Sequence, residues 1–343
     1  AVEALFRTPK IHIFYLIKSG NHTEAQAAID KFTADFAKHP ALPGVVYWFA
    51  KEFEASRTYD KAKSMYQQVA RQYPDSSHAG KAQLCVPKMD VLSLIESGDD
   101  TAAQAALDIL IADFNDHPDL PDTIFVIGEQ YYYKALYKKE PPTRDYLGKA
   151  LTIWERIITQ LPESDPATTA QAYFFWAACF RELGEYEKAI ENYQKVVDDR
   201  PNYQYAWSAQ YLIGTCYEKL RDSGSLSESQ ANPKIERAYQ AVVEKYPDCA
   251  SVKQAALKLA RLNFERGEWV EAAVYFELSL QKFSENQELQ RIILYPLAQS
   301  YDRMGEFDIA AQFYRQFISL LYRHDPRINF VKARLEEIGR ITK

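Results

Sequence analysis

Two stretches of this chain are near copies of each other, and that duplication limits the fold more than any other feature. Residues 19–44 (SGNHTEAQAAIDKFTADFAKHPALPG) and 97–122 (SGDDTAAQAALDILIADFNDHPDLPD) agree at 15 of 26 positions, at an offset of 78. A fixed internal period marks a repeat architecture, in which each unit covers its neighbour's apolar face. A period of 78 is too long for one helix pair and should hold two. A shorter frame runs inside it: a helix of about 13 residues, a turn, a second helix and a Pro-bearing break, about 34 residues in all.

The clearest copy of that frame is 170–203, AQAYFFWAACFRELGEYEKAIENYQKVVDDRPNY. Tyr173, Trp176, Ala177 and Phe180 recur at three- and four-residue steps and form one face of a helix. Gly184 ends that helix, because glycine accepts the left-handed conformation at helix ends. Tyr186 and Ala189 open the second helix, and small Ala189 lets two backbones approach. Tyr193 and Val196 continue the stripe until Pro201 stops it.

These residues resemble the tetratricopeptide repeat (TPR), bacterial type, and the resemblance extends along nearly the whole chain. The same frame gives Phe49, Ala50, Phe53, Tyr59, Ala62, Tyr66, Val69 and Pro74 in 43–76. It gives Leu294, Leu297, Ala298, Tyr301, Gly305, Phe307, Ala310, Tyr314 and Phe317 in 291–324. In 253–286 it gives Ala256, Leu259, Ala260, Gly267, Trp269, Ala272 and Phe276. Units 121–164 (Gly128, Tyr131, Ala150, Trp154, Ile157, Pro162) and 207–249 (Gly214, Tyr217, Tyr239, Val242, Pro247) carry insertions at 136–149 and 220–234. Units 9–40 and 84–118 are degenerate but keep Gly20, Ala25, Pro40 and Gly98, Ala103, Pro118.

The expectation is an all-α chain: one solenoid over 1–343, eight helix-turn-helix repeats, and a capping helix over 326–341. As the resemblance implies, it winds as a right-handed superhelix with the first helix of each pair on the concave side. The cap is read from Ile328, Val331, Leu335 and Ile338, which share one helix face. Thr8-Pro9, Asp165-Pro166, Asn232-Pro233 and Asp325-Pro326 are read as helix starts, a capping residue before a proline at the first helical position.

Composition excludes several classes. A net charge of -6 and a pI near 5.7 oppose general nucleic-acid binding. No run of 18 apolar residues exists to span a membrane. Cys85, Cys179, Cys216 and Cys249 are too sparse for a disulfide scaffold and are expected as free thiols. The chain opens at Ala1 without Met, so it reads as a processed chain or an excised piece, with the compartment, cytoplasmic or periplasmic, left open.

No nucleophile elbow, phosphate loop or zinc motif is present, so neither catalysis nor a cofactor nor a metal site is expected. His12, His22, His39, His78, His117 and His324 are scattered. His39 and His117 are related by the duplication. Each is read as an imidazole stabilising the negative end of a helix, in preference to a paired ligand or pH switch.

The family's groove positions, carried over residue by residue, give the candidate binding residues. The resemblance implies an aromatic column of Tyr47, Phe125, Phe174, Tyr211 and Tyr295, with Leu257 in the seventh unit. One turn on come Lys51, Glu129, Ala178, Thr215, Arg261 and Gln299. Then come Glu54, Tyr132, Arg181, Glu218, Phe264 and Asp302. Aromatic faces with charges of both signs suit recognition of a protein or peptide. The carboxylate clamp of chaperone-tail adaptors is not matched, since its first-unit places hold Lys10 and Phe14.

Charge is uneven along the chain. Residues 90–130 hold ten acidic residues and no Lys or Arg, whereas 323–343 holds six basic residues against three acidic. Such a pattern either steers a charged partner, favours self-association, or is simply solvated. The insertions LYKKEPPTRDYLGK (136–149) and LRDSGSLSESQANPK (220–234) read as surface loops on one edge, the second Ser-rich and mobile. The expected function is a non-catalytic protein-interaction scaffold in a larger bacterial assembly, since YPDSS and YPDCA after Y-x-x-V resemble bacterial envelope and secretion TPR proteins. Two alternatives stay open: a recruiting or regulatory arm of a larger enzyme, and a self-associating structural protein.

Overall fold

The structure is a computed structural model that describes residues 2–137, 143–161, 166–283, 286–322 and 325–342. Among them are seventeen α-helices and no strand. They fall into the eight expected pairs: α1 (Val2–Lys18) with α2 (His22–Asp35), α3 (Leu42–Ala55) with α4 (Tyr59–Gln72), α5 (Ala79–Ser97) with α6 (Asp100–Asp113), and α7 (Leu120–Tyr137) with α8 (Thr143–Gln160). Then come α9 (Pro166–Glu182) with α10 (Tyr186–Asp199), α11 (Ala206–Asp222) with α12 (Glu228–Lys245), α13 (Val252–Arg266) with α14 (Trp269–Lys282), and α15 (Gln287–Met304) with α16 (Phe307–Ser319). The last helix is α17 (Arg327–Ile341).

Contacts divide the chain into two compact units, residues 1–172 and 173–343. In unit 1, the members of each helix pair α1–α2, α3–α4, α5–α6 and α7–α8 pack together, α4 packs on α5, and the first helices touch directly, α1 on α3 and α5 on α7. The apolar stripe of α4 shows why. Tyr59, Ala62, Tyr66 and Val69 stand three or four residues apart and are all buried. The first unit's core is filled by Ile13, Ile29, Phe32, Phe49, Phe53 and Trp154. In unit 2, Ala189, Tyr193 and Val196 of α10 face Ala209, Ile213 and Cys216 of α11. Val331 and Ile338 of α17 close over Leu294, Ala298, Tyr314 and Phe317 with Leu335 beside them, which bears out the reading of α17 as a cap.

Close helix pairing depends on two glycines at equivalent places. A methyl group on Gly128 would sit 2.4 Å from Trp154 Nε1, and one on Gly214 would sit 2.6 Å from Tyr239 Cε1. Neither position has room for a side chain. The large rings of α8 and α12 rest directly on the backbone of α7 and α11, and the Trp154 indole donates to the Phe125 carbonyl at 3.2 Å.

First helices end in a left-handed residue: Gly20, Gly98, Gly184, Gly224, Gly267 and Gly305 all have positive φ. One such position holds a different residue. Arg57, after α3, has φ 57° and is the one non-glycine with positive φ among the described residues. It makes the same closing bonds as the glycines, its own N–H to the Glu54 carbonyl and that of Thr58 to the Phe53 carbonyl. An L side chain there costs about 1 kcal/mol.

Several sequence expectations are corrected. Pro9 and Pro233 lie inside α1 and α12 and do not start them. The 220–234 insertion is mostly helix, not a mobile loop. α11 runs to Asp222 and α12 starts at Glu228, where Gln230 Oε1 accepts from the Ser227 N–H at 3.2 Å in a capping box. The insertion 136–149 likewise falls partly in α7 and α8, and its middle, 138–142, lies outside the described residues. So do Pro162, Asp165, Arg323, His324 and Lys343. Pro166 does open α9, whereas α17 starts at Arg327, one residue after Pro326, and Asp325 accepts from the Arg327 N–H at 3.0 Å.

His39 and His117 each hold the turn that follows a helix, α2 and α6. Nδ1 of each accepts a backbone N–H two residues on, Ala41 at 3.2 Å and Asp119 at 3.1 Å. Each ring therefore caps the turn that follows its helix through a hydrogen bond. The four cysteines are free thiols, Cys85, Cys179 and Cys216 buried and Cys249 half-buried.

Candidate functional site

The aromatic column is built into the repeats. Each of its rings lies against an aromatic ring from the second helix of the same pair. Tyr47 meets Tyr66 at 5.4 Å, Phe125 meets Trp154 at 5.7 Å and Phe174 meets Tyr193 at 5.5 Å. Tyr211 meets Tyr239 at 5.4 Å, and Tyr295 meets Tyr314 at 6.2 Å and Phe317 at 5.2 Å. Ring pairs at these separations are mutually stabilising beyond their buried area. Phe125 is buried outright, and so is Tyr132, which also leans on Trp154 at 5.8 Å. The structure therefore places those two in the core: with only hydrogen at Gly128, α8 sits close enough to cover them. Phe264 is held by Trp269 and Phe276, and Leu257 packs in the same cluster.

The charged candidates are mostly paired within the protein. Glu54 accepts from Tyr66 Oη at 2.7 Å and from Lys88 Nζ at 2.7 Å. Lys88 is only 6% exposed, so this is a buried pair. Burial and the neighbouring carboxylate push the Tyr66 phenol well above its ordinary range, and it remains a donor. The arrangement recurs at the end of unit 2. Asp302 accepts from Tyr314 Oη at 3.1 Å and takes both arms of Arg334, at 2.8 and 2.7 Å. The Arg334 hydrogen bonds hold the Asp302 carboxyl below its usual range. Glu218 pairs with Lys258 at 2.8 Å, with Tyr239 beside it. Thus a tyrosine and an acid of one repeat meet a cation of the following helix pair, or of the cap, at three places.

Arg181 pairs with its neighbour Glu182 at 2.5 Å. Glu129 is half-buried, and burial raises its carboxyl against the lowering effect of a hydrogen bond from Tyr133. Arg261 and Lys51 are exposed and have no ion-pair partner among the described residues. The acidic stretch 90–130 is not the free negative surface that its sequence suggests. Asp90, Glu96, Asp100, Asp108 and Asp119 pair with Lys63, Arg57, Lys149, Arg156 and Lys81. Asp122 accepts from Thr168 at 2.5 Å. At the basic end, Arg327 pairs with Asp325 and Arg334 with Asp302.

One open cleft of about 460 Å³ lies in unit 1 along the first helices of three successive pairs. Lys51, Glu54 and Ala55 of α3 line it with Arg57, Tyr59, Leu92 of α5, and Gln130, Tyr133 and Tyr137 of α7. Lys51 and Glu54 were among the carried-over positions. Gln130, Tyr133 and Tyr137 were not. The carried-over positions on α7 were Phe125, Glu129 and Tyr132, and the face that opens to the cleft is rotated by one residue from the last two. Tyr133 and Tyr137, one helical turn apart, stack at 6.1 Å, and Tyr137 is 79% exposed. The run Tyr131-Tyr132-Tyr133 held the signal, because three consecutive helical residues cannot all face inward. In unit 2 a second cleft lies between α15, α16 and α17, where Gln299 and the paired Asp302 stand beside exposed Phe330.

Among the described residues no group of His, Cys, Asp and Glu is placed to hold a metal, and no helix is long and apolar enough to cross a membrane. Models of the tetratricopeptide repeat match residues 50–76, 170–203, 236–286 and 294–320. No curated protein matches the chain. Among solved structures, the C-terminal part of a TPR repeat-containing protein from Cytophaga hutchinsonii is similar over 81% of this chain and 97% of that one, at 16% identity and a TM-score of 0.48. A tetratricopeptide repeat protein from Parabacteroides merdae is similar over 76% and 99%, at 17% identity and a TM-score of 0.40. Pseudomonas aeruginosa PilF is similar over 74% and 99%, at 15% identity and a TM-score of 0.42. The chain therefore carries tetratricopeptide repeats in four matched stretches, set among paired helices that recur from α1 to α16.

Proposed function

We propose that the protein is a non-catalytic scaffold that docks a peptide or protein segment along the first helices of its repeats, within a larger bacterial assembly. Tetratricopeptide repeats imply a protein-interaction role, and the fold is typically non-catalytic. The observation that carries the docking site is the unit 1 cleft, where half-buried Tyr133 stacks on exposed Tyr137 beside Lys51, which has no ion-pair partner among the described residues. Rigid aromatic rings give large contact area at small entropic cost. The Tyr73-Pro74-Asp75 and Tyr246-Pro247-Asp248 breaks support the bacterial setting through the likeness noted above.

The test is a photoreactive residue at position 137, compared with one at Ile109, which is exposed on α6 away from the residues lining the cleft. In cells of the source organism, position 137 is expected to cross-link to a defined segment of another protein. Equal labelling from both positions, or none from 137, would remove the cleft as the docking site. Cross-links to a second copy of this chain would favour self-association instead.

A further inference from the structure

We infer that the unit 1 cleft selects a segment carrying an acidic side chain beside an apolar one, and that Arg57 is its specificity-determining residue. This rests on the docking reading above and adds the chemistry of the partner. The first observation is the backbone at 57. Six other turns of this kind use glycine, which takes the left-handed conformation without strain, and among the described residues this turn alone holds a long cationic side chain there. Strain of this kind persists where something else holds it in place, and it concentrates at binding sites.

The second observation is where the side chain goes. Arg57 lines the cleft, and only one guanidinium nitrogen is committed: Nη1 reaches both oxygens of Glu96, at 3.1 and 3.0 Å. Nε and Nη2 make no hydrogen bond among the described residues. That ion pair is half-exposed, and such pairs add little to stability. The fold therefore offers weak reason to keep an arginine there.

The third observation is the charge left over in the cleft. Glu54, its one acid, is neutralised by Lys88 and accepts a hydrogen bond from Tyr66. Lys51 is unpaired among the described residues, and Arg57 keeps two donors. The uncommitted charge is positive, and it stands beside the Tyr133–Tyr137 stack. A carboxylate answers the guanidinium and the ammonium, and an apolar residue beside it covers the rings.

Selection of a random-sequence peptide library on the full chain tests this. Selected peptides are expected to carry Asp or Glu next to an aromatic or aliphatic residue. Their affinity should fall about tenfold in Arg57→Gly and in Lys51→Gln, as expected for loss of a charged hydrogen bond. Arg57→Gly should melt no lower than the parent, since it relieves the turn. Arg57→Asn, which also tolerates the left-handed turn, should behave alike. Peptides without acids that lose binding in Tyr133→Ala/Tyr137→Ala would overturn the charge inference and leave the docking site standing. Undiminished binding in Arg57→Gly, or a loss that follows a lowered melting temperature in both position-57 variants, would also overturn it. If no peptide is selected, or binding ignores the tyrosine variants, both readings fall.

Discussion

Units 1 and 2 are built from the same helix pair but are tied together differently. Among the described residues, five ion pairs in unit 1 join separate helices, Lys18–Glu52, Lys63–Asp90, Lys88–Glu54, Lys149–Asp100 and Arg156–Asp108, and two more tie a turn residue to a helix, Arg57–Glu96 and Lys81–Asp119. Unit 2 has three, Lys258–Glu218, Arg266–Glu236 and Arg334–Asp302. Its remaining junctions are apolar and aromatic, as in the cluster of Phe276, Phe283 and Ile293. Aromatic burial is indifferent to salt and pH, whereas half-exposed pairs are screened within a Debye length of about 10 Å at 0.1 M salt. Two solutions to one stacking problem should therefore respond to different solution conditions.

The sharpest way to break that comparison is the buried pair of unit 1. Lys88→Met leaves Glu54 buried without its cation and should cost about 3 kcal/mol or more, read as a lowered denaturant midpoint. Its counterpart Lys258→Met should cost less, because the Lys258 side chain is 39% exposed. Equal losses would mean that burial does not separate the two units.

Matched glycine variants come next. Gly128→Ala and Gly214→Ala each force a methyl group into a ring and should each cost about 1–3 kcal/mol. Hydrogen exchange should place the first loss in α7–α8 and the second in α11–α12. Similar costs would show that helix pairing is equivalent in the two units and that only the junctions differ.

Acid sharpens the contrast at the end of unit 2. The Asp302 carboxyl is depressed in the folded state, so its pairing with Arg334 contributes fully above the ordinary carboxylate value of about 3.9. That contribution is lost as pH falls through the lower folded value. Exchange protection of α17 should therefore drop at acid pH, and Arg334→Met should abolish the dependence. The smallest effect is expected at an exposed pair. Lys63→Met should cost less than about 1 kcal/mol and should make unit 1 less sensitive to added salt.

How much of this was legible depended on distance along the chain. Helix pairs could be read because their determinants are local: Gly184 or Gly305 at a helix end, and Ala189 or Ala310 at a close approach. The cap could be read from Val331 and Ile338 for the same reason. The acidic stretch misled because its partners sit 27 to 49 residues away, and a window of 40 residues shows the acids without the bases. The 220–234 segment misled because serine-rich composition hid a capping box, Ser227 to Gln230. The cleft residues of α7 were missed by a single position. A family frame gives the register of the backbone, but the size of Trp154 decides which of three tyrosines is covered.

The tyrosine–acid–cation clusters carry a further lesson for anyone who treats such repeats as interchangeable bricks. A chimera cut between α4 and α5 would keep Glu54 and Tyr66 and discard Lys88, stranding a carboxylate in an apolar wall. Transplanting the segment from α3 through the whole of α5 keeps all three together. In this chain, then, the natural piece to excise straddles two sequence repeats and coincides with neither.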